Sequence, residues 1–173
     1  PPPPPPPPPL FFLMIRRPPR STLDRWSAAS DVYKRQFGHG SLANDWVERL
    51  QFESAEGYLH GFIDLVFESR GRYFVVDYKS NDLGPGDEDY APERLLATMV
   101  QEHYLLQYLI YTLAVHRYLR LRLPDYDYEQ HFGGVYYLFL RGMNPASEQS
   151  SGIYFDRPSA AMVEDLDRLI DGS

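Results

Sequence analysis

Hydrophobic and polar residues alternate in distinct ways along the second half of the chain, and each pattern predicts an element. Gly61–Glu68 (GFIDLVFE) is apolar at almost every position except Asp64, which predicts a strand buried on both faces. Ser69-Arg70-Gly71-Arg72 reads as a tight turn, and Tyr73–Ser80 (YFVVDYKS) as a second strand, interrupted by Asp77 and Lys79. The two form a β-hairpin. Upstream, Arg49–Leu59 reads as extended, and Phe37–Asn44 as irregular, with a helical turn after Ser41. Downstream, Asn81–Pro92 holds two glycines, two prolines and four acids, the composition of a loop. Glu93–Arg122 repeats Leu, Met, Tyr and Ile at three- and four-residue steps. This predicts helix, with a break near Glu102–Tyr104 because thirty residues is long for one globular helix, and an end at Pro124. Gly134–Arg141 (GVYYLFLR) predicts a third strong strand and Ile153–Arg157 a short edge strand. Ser159 is placed to cap a last amphipathic helix over Ala160–Ile170. Strands, a long helical stretch, a strand and a helix make an α/β layered domain.

The first 36 residues follow none of these periods. Pro1–Pro9 is compatible only with a polyproline II rod, and Leu10–Gln36 joins a short apolar burst to Arg16-Arg17-Pro18-Pro19-Arg20 and Ser/Ala filler. Its charges follow the apolar stretch, the reverse of a secretory signal. The strings LFFLMIRRPPRSTL and SAASDVYKRQ resemble translated sequencing-adapter read-through, so residues 1–36 are expected to be an artefactual, disordered segment and 37–173 the domain. A disordered proline-rich tail is the alternative. The longest apolar run, Leu10–Ile15, has six residues, far short of the ~20 that cross a membrane.

Charge sharpens the division. The chain carries −7 overall, from 17 Lys+Arg and 24 Asp+Glu. Residues 1–36 hold six of those bases and two of those acids, leaving 11 and 22, or −11, on residues 37–173. Lys79 is the one lysine there. So acidic a body does not bind nucleic acid by bulk electrostatics, but its carboxylates can hold a cation. The absence of cysteine excludes disulfides and thiolate metal sites and suits a reducing compartment.

With a turn centred between Arg70 and Gly71, hairpin partners sum to 141, and Asp64 faces Asp77. Directly opposed residues have Cβ atoms about 4.5–5.5 Å apart. Lys79, two positions beyond Asp77, shares its face. Two carboxylates and an ammonium thus meet inside an apolar hairpin. Adjacent carboxylates in a low dielectric repel, and a divalent cation removes the repulsion. All-oxygen ligands favour Mg²⁺ or Mn²⁺ over zinc. The lysine can then orient a water or stabilise charge on a phosphoryl oxygen. The bland alternative, a buried ion-pair cluster, is poor for stability with excess negative charge. The reading depends on register, since a slip of one residue turns Asp64 to the opposite face.

Asp64, a twelve-residue gap and then Asp77-Tyr78-Lys79 resemble the signature of the PD-(D/E)XK nuclease superfamily. The surrounding text is more specific. Gly61–Phe67 (GFIDLVF), Val76–Asn81 (VDYKSN), Gln107–Ala114 (QYLIYTLA), His116–Leu119 (HRYL), Asp125–Met143 and the GIY…RP stretch at Gly152–Pro158 resemble, in order, the C-terminal nuclease domains of the RecB family, the β subunits of exodeoxyribonuclease V. The resemblance implies a restriction-endonuclease-like layered domain, with a central mixed sheet, flanking helices and a truncated N-terminal side. It implies Asp64, Asp77 and the main-chain carbonyl of Tyr78 as metal ligands and Lys79 as the catalytic lysine. Gln107 and Tyr111 match the family's QxxxY motif, where they contact DNA or the metal-bound phosphate; ordinary helix packing is the alternative.

It further implies a Mg²⁺-dependent DNA exonuclease, with Mn²⁺ as a substitute, acting in double-strand-break repair and recombination in the bacterial cytoplasm. DNA and RecC- and RecD-like subunits are the implied partners, with no membrane. ATP would enter only through a helicase portion, because no GxxxxGK[ST] occurs here. The family's upstream histidine and glutamate ligands have no visible match, so the piece alone is expected to be weakly active or inactive. His39, His60, His103, His116 and His131 read as loop, surface or packing residues, and Glu53 and Glu56 as poor substitutes for the glutamate. The competing reading is a catalytically inactive, nuclease-like docking module in a repair complex, with the tyrosines serving an interface.

Overall fold

The computed structural model describes residues 12–16, 58–143 and 151–171. The strands β1 (Phe12–Arg16) and β2 (Tyr58–Phe62) pair antiparallel as a two-stranded sheet. β1 lies in the segment expected to hold no regular element: the short apolar burst has the composition of a strand, and β2 supplies a ladder for it. The predicted irregular stretch after Phe37 and most of Arg49–Leu59 lie outside the described residues, as do His39, Glu53 and Glu56.

The main sheet has the order β3-β4-β5-β6, from β3 (Leu65–Ser69), β4 (Arg72–Lys79), β5 (Phe132–Phe139) and β6 (Ile153–Asp156). The β4/β5 pair is parallel and the other two pairs are antiparallel, giving the mixed sheet of an α/β layered domain. Between β3 and β4, Arg70 (φ 53) and Gly71 (φ 77) form a two-residue loop with both φ positive, the geometry that matches strand twist. It sets Leu65 opposite Val76 and Ser69 opposite Arg72, so partners sum to 141 as predicted.

The continuous strand expected over Gly61–Glu68 is two strands, with Ile63 and Asp64 in the bend between them. Nor is β3 buried on both faces. It is an edge strand, and Leu65 (40 %) and Phe67 (37 %) are exposed. An unbroken apolar run reports a preference for burial but not which neighbours are present to provide it.

Beyond β4, a loop with one 3₁₀ turn (Asp87–Tyr90) leads to α1 (Pro92–Gln101) and α2 (Tyr104–Arg122). The predicted break is there: His103 adopts φ 58, a left-handed conformation that ends one helix and starts the next. A one-turn helix, α3 (Tyr128–His131), is capped by Asp127, whose Oδ1 accepts from the Gln130 N–H at 2.9 Å, and it enters β5. α4 (Ala160–Asp171) starts as predicted at Ser159, whose hydroxyl accepts from the Met162 N–H at 3.2 Å.

The core lies on one face of the sheet. Val75, Val135, Tyr137 and Phe139 pack against Leu95 and Met99 of α1, Leu105, Tyr108 and Leu113 of α2, and Val163 and Leu166 of α4. Asp167 of α4 is gripped by Arg117 and Arg120 of α2, the latter at 3.1 Å. This packing fixes α2 over the end of β4, which carries the polar residues.

Candidate active site

The odd-numbered residues of β4 face the helices. Val75 and Asp77 are therefore buried and Lys79 is partly buried, while Tyr78 on the opposite face is 45 % exposed. Asp77 is buried to 4 % exposure, and that burial pushes its carboxyl pKa upward. Lys79 opposes the shift, with Nζ 2.7 Å from Asp77 Oδ2, while Asp64 adds to it. Asp64 precedes β3, and its Oδ2 accepts from the Tyr78 N–H at 2.8 Å, which ties the bend to β4. The expected Asp64–Asp77 strand pair is absent: the ladder stops at Leu65–Val76, and Asp64 reaches β4 from the bend.

Gln107 and Tyr111 join the same site from α2. Gln107 Oε1 accepts from Lys79 Nζ at 2.9 Å and from the Tyr137 hydroxyl at 3.1 Å. Gln107 Nε2 donates to the Tyr111 hydroxyl at 2.9 Å, which in turn donates to the Phe62 carbonyl at 2.7 Å. Burial, with Asp77 and Asp64 adding, raises the Tyr111 and Tyr137 pKa values and keeps both hydroxyls protonated as donors. A chain of hydrogen bonds therefore runs from Asp77 through Lys79, Gln107 and Tyr111 to the bend beside Asp64. The four-residue spacing of Gln107 and Tyr111 places both on one helical face, where they can join it.

Three residues of the site were not singled out from sequence. Tyr104 lies with its ring under Lys79, Nζ 3.7 Å from the centroid, and the Tyr137 ring is 5.0 Å away. Asn81 Oδ1 accepts a hydrogen bond from the Tyr104 hydroxyl at 3.2 Å. A signal for Tyr104 existed: it precedes Gln107 by three and Tyr111 by seven, the spacing of one helical stripe. The predicted rim loop closes beside them. The Tyr90 hydroxyl donates to the Asn81 carbonyl at 3.2 Å and accepts from the Leu83 N–H at 3.1 Å, while Arg141 pairs with Asp82 at 2.9 Å.

Two of the histidines, His116 and His131, behave as packing or surface residues. His116 is buried against the Tyr126 and Tyr128 rings, and His131 bonds the Asp127 backbone. Among the described residues no group of three or more His, Asp or Glu gathers to hold a metal ion. The protein's own contribution there is two carboxylates, each with one oxygen engaged (Asp64 Oδ2 and Asp77 Oδ2) and Oδ1 without a hydrogen-bond donor among the described residues. That set suits a hard divalent cation that keeps much of its hydration shell, as Mg²⁺ does on one or two carboxylates, and it suits zinc poorly.

A buried Asp-X-Lys pair thus lies on a sheet strand, with a second aspartate in the bend before the neighbouring strand. The chain belongs to the PD-(D/E)XK nuclease superfamily, whose profile matches residues 15–171. Divalent-metal dependence is typical of that superfamily. Among curated proteins the chain is similar to the RecBCD enzyme subunit RecB of Haemophilus influenzae, 55 % identical over 120 residues that cover 69 % of this chain and 10 % of that protein. It is also similar to that of Escherichia coli, 51 % identical over 123 residues (71 % and 10 %), and that of Mycobacterium tuberculosis, 45 % over 121 residues (66 % and 11 %). The chain spans about a tenth of the length of these relatives. No helix among the described residues is long and apolar enough to cross a membrane.

Proposed function

We propose that this chain is the nuclease part of a RecBCD-type helicase–nuclease that hydrolyses DNA phosphodiester bonds with Mg²⁺, in double-strand-break repair and recombination. The observation that carries the reading is the buried Asp77 carboxylate, paired with Lys79 at 2.7 Å and coupled to Asp64 across the bend. A stability role is a poor reason to keep this group, because burying a carboxylate that one partner only partly compensates is costly. The names of the RecB relatives support the assignment of a RecBCD-type assembly. RecC- and RecD-like subunits, a bacterial cytoplasmic location and ATP use by a helicase portion belong to the same proposal.

Asp64, Asp77 and the Tyr78 carbonyl would hold the cation. When bound, it supplies positive charge against the phosphoryl oxygens as the phosphodiester is attacked. The chain's own work is positioning. Lys79 presents an ammonium at a fixed point beside Asp77, where it stabilises developing negative charge on the phosphoryl group. Gln107 holds that ammonium, and Tyr111 holds Gln107. Since the polar ends of Gln107 and Tyr111 are engaged with Lys79, Tyr137 and the Phe62 carbonyl, they serve the DNA substrate through the lysine. The low-dielectric floor under Lys79 makes each of these contacts stronger than in water.

The test is release of nucleotides from linear DNA by the chain with Mg²⁺, beside Lys79→Ala. Weak Mg²⁺-dependent cleavage that falls at least about 100-fold in Lys79→Ala is the expected outcome. Cleavage at the wild-type rate in Lys79→Ala would refute it.

A further inference from the structure

The geometry points to Tyr104 as the positioning residue that keeps the Lys79 ammonium in place when Asp77 is drawn to a cation. The inference rests on the nuclease reading for its purpose but not for its geometry.

Lys79 Nζ has four neighbours: the Asp77 carboxylate at 2.7 Å, Gln107 Oε1 at 2.9 Å, the face of the Tyr104 ring at 3.7 Å and, farther off, the Tyr137 ring at 5.0 Å. Of these, only Asp77 also belongs to the proposed ligand set. A carboxylate shared between an ammonium and a divalent cation gives up part of its charge to the cation, so it alone is a poor anchor for the lysine. The aromatic face attracts the ammonium through its quadrupole and does not compete for the cation. It also removes water from one side of Nζ. Gln107 supplies a neutral acceptor on another side.

Tyr104 is itself held on three sides. Its hydroxyl donates to Asn81 Oδ1 at 3.2 Å. Its ring packs against Tyr137 (centroids 5.8 Å apart) and Phe139 (6.5 Å) of β5. His103, in its left-handed conformation, starts α2 so that Tyr104 falls in the first turn, three residues ahead of Gln107. The helix break and the two aromatic neighbours thus aim one ring at one ammonium. A tyrosine needed only to fill the core would have no reason to place its face over a charged nitrogen.

The chain contains two lysines, Lys34 and Lys79, so isotope-labelled lysine gives two sets of side-chain NMR signals. In the wild-type chain without metal, the ε-methylene protons of Lys79 are expected to lie upfield of those of free lysine, because the adjoining Nζ sits over an aromatic face. Tyr104→Phe keeps that shift and Tyr104→Leu abolishes most of it. In Asp77→Asn the shift persists, because ring and Gln107 hold the ammonium without the carboxylate. An unshifted Lys79 in the wild type, an unchanged shift in Tyr104→Leu, or its collapse in Asp77→Asn would each overturn the inference. Tyr104→Met is the second non-aromatic variant, should Tyr104→Leu fail to fold.

In the Mg²⁺-dependent cleavage assay, Tyr104→Leu is expected to lower kcat about tenfold with little change in KM, and Tyr104→Phe to recover most of that loss. Equal losses in both variants would overturn the role of the ring. A wild-type chain that cleaves no DNA is what the unmatched upstream ligands allow, and the lysine signals alone then decide the clamp.

Discussion

Replacing Gln107 with leucine removes three hydrogen bonds and changes little of the side-chain volume, so it isolates the polar part of the site. Lys79 Nζ loses its neutral acceptor at 2.9 Å, a charge-assisted bond of about 1.5–3 kcal/mol. The Tyr137 hydroxyl, on a residue with no exposed surface, loses its acceptor at 3.1 Å, and an unsatisfied buried donor costs about 1–3 kcal/mol. Tyr111 loses a donor but keeps the Phe62 carbonyl, so its share is small. Gln107→Leu should therefore destabilise the fold by about 3 kcal/mol, a fall of roughly 10 °C in Tm. Chemical denaturation of the full chain measures it. Tyr137→Phe removes the hydroxyl that Gln107→Leu would strand, so the double variant should be less damaged than the sum of the singles by about 1–2 kcal/mol. A loss below about 0.5 kcal/mol, or strict additivity with Tyr137→Phe, would refute the network.

Two further predictions concern residues away from the lysine. Thr112 is fully buried in α2, and its hydroxyl has no hydrogen-bond partner among the described residues, so the near-isosteric Thr112→Val should raise stability by about 1 kcal/mol in the same denaturation experiment. For His116, burial first and the Arg120 guanidinium second hold the folded pKa below the ordinary 6.5. The unfolded chain then takes up the proton first, so stability is complete above about pH 6.5 and declines as pH falls through the folded value. The urea midpoint should drop between about pH 8 and about pH 5, and the decline should be shallower in His116→Gln; parallel pH curves for the two proteins would contradict it.

Much of the site was legible because local rules set it. A two-residue turn with Gly71 at positive φ leaves one hairpin register, which sets Leu65 opposite Val76 and so leaves Asp64 in the bend beside the end of β4. The helix break near residue 103 was legible from length, and the α4 cap from Ser159. What was not legible depends on non-local packing. The apolar text of β3 resembles a central strand, but its place at the sheet edge is decided by which strands pair with it. Likewise, no local pattern says that the Tyr104 ring meets Lys79, twenty-five positions earlier, or that Tyr137 shares Gln107 with it. Tyrosine at helical spacing reads as core, and both tyrosines are partly that, since Tyr104 and Tyr137 also pack on each other.

The central claim, that Asp64 and Asp77 act together on one divalent cation, is tested most directly by calorimetric titration of Mg²⁺ or Mn²⁺ into the chain, beside Asp64→Ala and Asp77→Ala. The account predicts a binding isotherm in the wild type that disappears in both variants while each remains folded. Wild-type affinity retained in both variants, or a folded wild type that binds neither ion, would contradict it.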